Sequence, residues 1–199
     1  MHRSLAIILA LVLALSISAC QSSPPVSNGT TTTQPQSDPP VSQTSPAPEP
    51  VEEFPDATMG EKNALEKARS YLQYSNFSYS GLINQLEFEK FSTAEATFAA
   101  DNCGADWNDQ AAGKALGYLG YSNFSYTGLI NQLEYEGFTT EQATYGADNC
   151  GADWNEQAAG KAASYLKYSA FSRDSLIEQL EYEGFTHEQA VYGAAQNGY

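Results

Sequence analysis

The first side chain placed to do chemistry in this 199-residue sequence is a cysteine. Cys20 closes the stretch "ISAC", which follows a basic start (His2, Arg3) and an apolar run from Leu5 to Ile17. That run of 13 residues falls short of the ~20 needed to span a bilayer, and small residues precede the cysteine as a signal peptidase requires. The arrangement is that of a lipobox, in which the Cys20 thiol receives a diacylglycerol and cleavage falls between Ala19 and Cys20. An ordinary secretory signal with a chance cysteine is the alternative. With two acyl chains for stable anchoring, residues 1–19 are a signal peptide and Cys20 holds the rest on a membrane surface without a spanning helix.

The remaining reactive residues are sparse. His187 is the only histidine after His2, and its counterparts in the repeat described below are Thr93 and Thr140. No Ser–His, Cys–His or two-histidine metal site can therefore recur along the chain. Glu134 and Glu136 have the counterparts Glu87 and Glu89, and Glu181 and Glu183. Residues two apart on a helix point to different sides, so none of the three pairs can flank one glycosidic bond. The segment "DNCGADWNE" at 148–156 offers oxygen donors but lacks the alternating carboxylates, sixth-position glycine and distant glutamate of a calcium loop. Cys103 and Cys150 occupy equivalent positions in adjacent repeats. They are either buried thiols or a disulfide, and a disulfide needs their Cα atoms within ~7 Å. No catalytic residue, metal or cofactor is called for.

These residues are carried by a tether and a repeat. Residues 20–58 are the lipidated cysteine and a segment of Ser, Thr, Pro and Gln that cannot bury enough apolar surface to offset its own ordering, so a disordered linker is expected. As a flexible coil it reaches roughly 35 Å. Beyond it, Lys67–Gly113 and Lys114–Gly160 align without a gap and share 35 of 47 positions, and Lys161–Tyr199 continues the register, so the repeat is the unit of the fold. We place the units at 59–104, 105–151 and 152–199. In the second unit Trp107, Ala111, Ala115 and Tyr118 form a helical stripe over 107–120, with Asp106 as N-cap. Ser125 caps a second helix carrying Leu129, Ile130 and Leu133, ended by Gly137 in a left-handed conformation. Thr139 and Gln142 open a third helix through about Ala147. No segment alternates with period two, so the expected class is all-α: three tandem three-helix repeats, sharing surface because so small a unit has little core of its own.

Charge decides the partner class. Without Arg3 the chain holds eight basic against 24 acidic residues, and Lys114–Gly160 alone has one lysine against six carboxylates. Nucleic acid, whose binding relies on cations that displace counterions, is excluded; a basic partner, or simple solubility, fits. Glu87, Glu89, Glu134, Glu136, Glu141, Asp148, Glu181 and Glu183 are the candidate contacts. The tyrosines (Tyr118, Tyr121, Tyr126, Tyr135 and Tyr145 in one copy) divide between core packing and a surface for protein or glycan.

The run "KALGYLGYSNFSYTGLINQLEYEGFTTEQATYGADN", Lys114 to Asn149, resembles the repeat of the Ltp family of host cell surface-exposed lipoproteins. The family pattern "A..YL....FS..GLI.QL..EGFT.EQA.YA.DN" is matched closely in the second copy. The first copy departs at Lys90, Ala94 and Glu95, and the third has Ser175 for a glycine. The resemblance spans about Gly60 to the end. It implies helix-turn-helix-like repeats that do not bind DNA, displayed by a lipid anchor on the membrane of Gram-positive bacteria. It further implies superinfection exclusion: a family member lets phage adsorb but blocks DNA entry by engaging the incoming tail tape-measure protein. A surface adhesin or wall-glycan-binding module is the competing expectation.

Overall fold

The computed structural model describes residues 54–199. Ala19, Cys20 and most of the linker lie outside the described residues. The ring of Phe54 meets Phe98 edge-on with centroids 5.5 Å apart. The last linker residues therefore pack on the first repeat.

Among the described residues there are nine helices and no strand. They are α1 (Met59–Leu72), α2 (Tyr79–Phe88), α3 (Thr93–Asn102), α4 (Trp107–Tyr121), α5 (Tyr126–Tyr135), α6 (Thr140–Asn149), α7 (Trp154–Tyr168), α8 (Arg173–Tyr182) and α9 (His187–Gln196). None is long and apolar enough to cross a membrane. Each starts at a side chain that accepts the orphan N–H groups of its first turn. Asp106 accepts from the N–H groups of Asn108 and Asp109, Ser125 from Gly128, and Thr139 forms a reciprocal capping box with Gln142. Ten-residue helices are marginal alone, so packing must hold them.

Within a repeat, the first and third helices meet along alanines. Ala111 and Ala115 of α4 and Ala143 and Ala147 of α6 are fully or almost fully buried, and Gly146 lies against the backbone of Ala111. Small side chains bring the two helices close, and the middle helix fills the remaining side with Leu129 and Leu133, both at 0 % exposure. The same design recurs with Ala64, Ala68, Leu82 and Leu86 in the first repeat and Ala158, Ala162, Leu176 and Leu180 in the third.

The repeats share surface, as expected, without sharing a core. The buried residues form three separate clusters, one per repeat. The repeats meet instead through one aromatic plug and a set of polar contacts. Trp107, the first residue of α4, packs on the first cluster and meets Tyr79 edge-on at 5.5 Å; Trp154 and Tyr126 do the same one repeat later, at 5.4 Å. Ser78 donates to the carbonyl of Glu136 at 2.6 Å and Ser80 to that of Gly137 at 3.0 Å. Ser125 and Thr127 repeat this on Glu183 and Gly184, at 2.6 and 3.2 Å. The Gln110 side chain accepts from the Phe77 N–H at 3.2 Å, and Gln157 from that of Phe124 at 3.3 Å. Asn76 and Asn123 add amide contacts to these glutamines.

One backbone position separates the repeats. The second residue past each middle helix is left-handed: Gly137 has φ 90° and Gly184 φ 92°, but in the first repeat it is Lys90, at φ 75°. A Cβ is disfavoured there by roughly 1–2 kcal/mol. Lys90→Gly should raise the stability of the first repeat by about 1 kcal/mol, seen as a higher denaturation midpoint in urea; an unchanged or lower midpoint would mean the Lys90 side chain makes compensating contacts.

Candidate functional site

Six of the eight candidate carboxylates lie where a middle helix ends, in the run Glu-aromatic-Glu (87–89, 134–136, 181–183). The structure gives the two glutamates of each run different surroundings.

The inner one serves its own repeat. Glu136 pairs with Lys114 at 2.9 Å and accepts the Tyr118 hydroxyl, whose oxygen accepts from Gln132 at 3.2 Å. Glu89 is held the same way by Lys67 at 2.9 Å and by Tyr71. Glu183 is held by Lys161 at 3.0 Å and by Tyr165. The network ties the first helix to the end of the second, which neither periodicity nor caps can do. Burial by itself would raise the Glu136 and Glu183 carboxyls; hydrogen bonds from the tyrosine and the lysine outweigh it and leave both below the ordinary value. Burial and the adjoining carboxylate push the Tyr118 and Tyr165 hydroxyls up to about 12. These tyrosines are donors throughout the physiological range.

The outer glutamate is exposed at Glu134 and Glu181 and half-buried at Glu87. Glu87 accepts from the Thr93 hydroxyl at 2.5 Å, Glu134 from Thr140 at 2.6 Å, and Glu181 lies 2.6 Å from His187 Nδ1. Each contact braces the side chain from the first residue of the following helix through one carboxylate oxygen. Asp148 accepts the Tyr126 hydroxyl at 2.8 Å. Glu141 is exposed in the first turn of α6, where its own backbone N–H and the Thr139 hydroxyl hold it below the ordinary carboxylate value. The candidate residues therefore do not converge on one point but recur as an acidic surface, one patch per repeat. No group of three His, Cys, Asp or Glu residues that could hold a metal occurs among the described residues.

Of the two alternatives left open above, Cys103 and Cys150 stand as free thiols, Cys150 buried and Cys103 half-buried. Each lies at the end of its own repeat's third helix and points back, Cys103 Sγ to the Ala100 carbonyl at 3.4 Å and Cys150 Sγ to that of Ala147 at 3.2 Å. They belong to two different cores, so neither is presented to the other.

The tyrosines divide by position. Tyr71, Tyr118 and Tyr165 pack half-buried against Phe77, Phe124 and Phe171. Two other series stand out in solvent: Tyr74, Tyr121 and Tyr168 at or just past the end of each first helix, and Phe88, Tyr135 and Tyr182 as the last residue of each second helix. The sequence carried a signal for the latter series. Each ring lies two residues after a core leucine (Leu86, Leu133, Leu180), a spacing that turns it from the core.

The model of the host cell surface-exposed lipoprotein family matches the chain three times, at residues 60–103, 106–150 and 153–196. Among solved structures the chain is similar to Ltp, a superinfection exclusion protein from the Streptococcus thermophilus temperate phage TP-J34. The identity is 32 %, over 47 % of this chain and 97 % of that one, with a TM-score of 0.45. No curated protein matches. With three tandem matches that take up every helical unit, the chain belongs to the Ltp family of host cell surface-exposed lipoproteins.

Proposed function

We propose that this chain is a non-enzymatic lipoprotein, held on the outer face of the cell membrane by a diacylglycerol on Cys20, that blocks phage DNA injection. In this reading its acidic repeats bind an incoming tail or tape-measure protein after adsorption. Family membership supports surface display. The observation that carries the binding step is the recurrence of one acidic, aromatic surface on three linked repeats of a chain with formal charge −15. Such a surface attracts a cationic protein segment from a distance and repels nucleic acid. A tether at the membrane sets it where DNA must enter.

The test is phage adsorption and DNA entry on cells displaying the chain or its Cys20→Ala variant. Adsorption should be unchanged in both, and DNA entry should fall at least tenfold only with the lipidated form. Unchanged entry across a panel of phages would refute exclusion.

A second reading draws on a groove of about 370 Å3 at the first junction, lined by Tyr74, Asn76, Gly117 and Tyr121. Aromatic walls beside an amide suit a sugar ring, so the chain would be a wall-glycan-binding module or adhesin. Salt separates the readings: a charge-driven contact weakens with ionic strength and stacking on sugar does not.

A further inference from the structure

Phe88, Tyr135 and Tyr182 are 78 %, 71 % and 88 % exposed, each beside the outer glutamate of its run. A single exposed ring is ordinary. Three at one repeat position are harder to dismiss, because other exposed positions have drifted between the second and third copies. Gly120 answers to Lys167, Thr127 to Asp174 and Asn131 to Glu178, while the ring and its glutamate persist in every copy.

Three features at each ring favour a cation. The face of an aromatic ring attracts ammonium and guanidinium groups. The outer carboxylate, braced by Thr93, Thr140 or His187, keeps one oxygen free of the brace. The C-terminal end of a helix carries negative partial charge, and none of α2, α5 and α8 has a basic residue in its last turn, although at the first end Lys90 stands two residues past Phe88. The inner glutamate is set apart, since its own lysine already neutralises it.

We propose that these ends are three equivalent docking points for one cationic, amphipathic protein segment. Its Lys or Arg side chains lie over Phe88, Tyr135 and Tyr182 and pair with Glu87, Glu134 and Glu181. The proposal rests on the reading of the chain as a binder of an incoming tail protein, and it names the chemistry that surface selects. One docking point is weak; three on a single chain act together through effective concentration.

The experiment titrates the full-length lipidated protein in detergent micelles with a fluorescent synthetic amphipathic peptide of Leu, Lys and Arg, and with the same peptide carrying Gln for Lys and Arg. The cationic peptide should bind and the Gln peptide should not. Losing one ring (Tyr135→Ser) should weaken binding about threefold, and Phe88→Ser/Tyr135→Ser/Tyr182→Ser together roughly thirtyfold, with Tyr135→Phe/Tyr182→Phe close to the parent. Neutralising three carboxylates elsewhere (Glu95→Gln/Asp109→Asn/Glu156→Gln) should cost less than Glu87→Gln/Glu134→Gln/Glu181→Gln. Absent binding by the parent, a triple-serine variant within twofold of it, or equal loss from both charge variants would overturn the docking points. The same variants are scored for DNA entry on cells. If the parent excludes phage and the triple-serine variant excludes equally well, the docking points fail and the exclusion reading stands. If the parent excludes nothing, the exclusion reading fails, and the peptide titration still decides the docking points.

Discussion

Gly146→Leu should unfold the middle repeat, lowering its stability by about 3 kcal/mol or more, an overpacking cost at the upper end of the usual range. A Cβ at Gly146 would lie 2.9 Å from both the carbonyl carbon and oxygen of Ala111 and 3.1 Å from Leu133 Cδ1. Gly193 stands the same way against Ala158, whose carbonyl oxygen would be 2.8 Å away. The obstacle is backbone, which cannot swing aside as a side chain can, so α4 and α6 would have to separate and open the alanine seam they share. The first repeat supplies an internal control, since the corresponding residue is Ala99, buried at 0 % exposure. One methyl group is thus compatible with this fold after a small adjustment, and Gly146→Ala should cost about 1 kcal/mol or less, helped by the better helix propensity of alanine. Circular dichroism melting of the two variants beside the parent decides the matter. If Gly146→Leu melts with the parent, the first and third helices are not in backbone contact.

Much of this architecture was legible because it is local. The caps at Asp106, Ser125 and Thr139 and the left-handed Gly137 each depend on residues within a few positions, and each is found where the spacing put it. The alanine stripe likewise marks the buried side of α4. What stayed hidden depends on pairs that sequence order separates. Glu89, Glu136 and Glu183 read as surface carboxylates, but the lysine and tyrosine that hold each lie 22 and 18 residues earlier, on another helix. Asn76 and Asn123 likewise meet partners far along the chain, Gln110 and Gln157, across a junction. A trace was present all the same: where Ala170 replaces the asparagine in the third copy, Arg173, Asp174 and Ser175 replace the neighbouring residues that complete the junction in the first two. Among the candidate contacts, the structure separates inner glutamates, held by a lysine and a tyrosine of their own repeat, from outer ones braced by the first residue of the next helix. Periodicity could not do so, since both lie in the last turn of a helix or just beyond.

Because each core is closed within its repeat apart from the tryptophan plug, the middle repeat should be removable. Deleting Lys114–Gly160 joins Gly113 to Lys161 and fuses the first half of α4 to the second half of α7 at equivalent positions. Every group needed at the new junction survives. Trp107 and Gln110 remain to meet Tyr79 and Phe77, and the carbonyls of Glu183 and Gly184 stand in for those of Glu136 and Gly137 before Ser78 and Ser80. Ala111 faces Gly193 in place of Ala158, like for like, and the pairing of Lys161 and Tyr165 with Glu183 is untouched. In an array with nearest-neighbour coupling, stability is a sum over repeats and junctions, so the shortened protein should fold with one repeat and one junction fewer. At ~0.7 kcal/mol per residue, the calorimetric unfolding enthalpy should fall by roughly 33 kcal/mol while the melting temperature moves by only a few degrees. A protein that no longer folds, or melts more than about 15 °C lower, would show that the repeats depend on each other beyond the contacts seen here. If it folds but binds the cationic peptide several-fold more weakly, the array's length serves avidity, which gives one helical unit reason to recur three times.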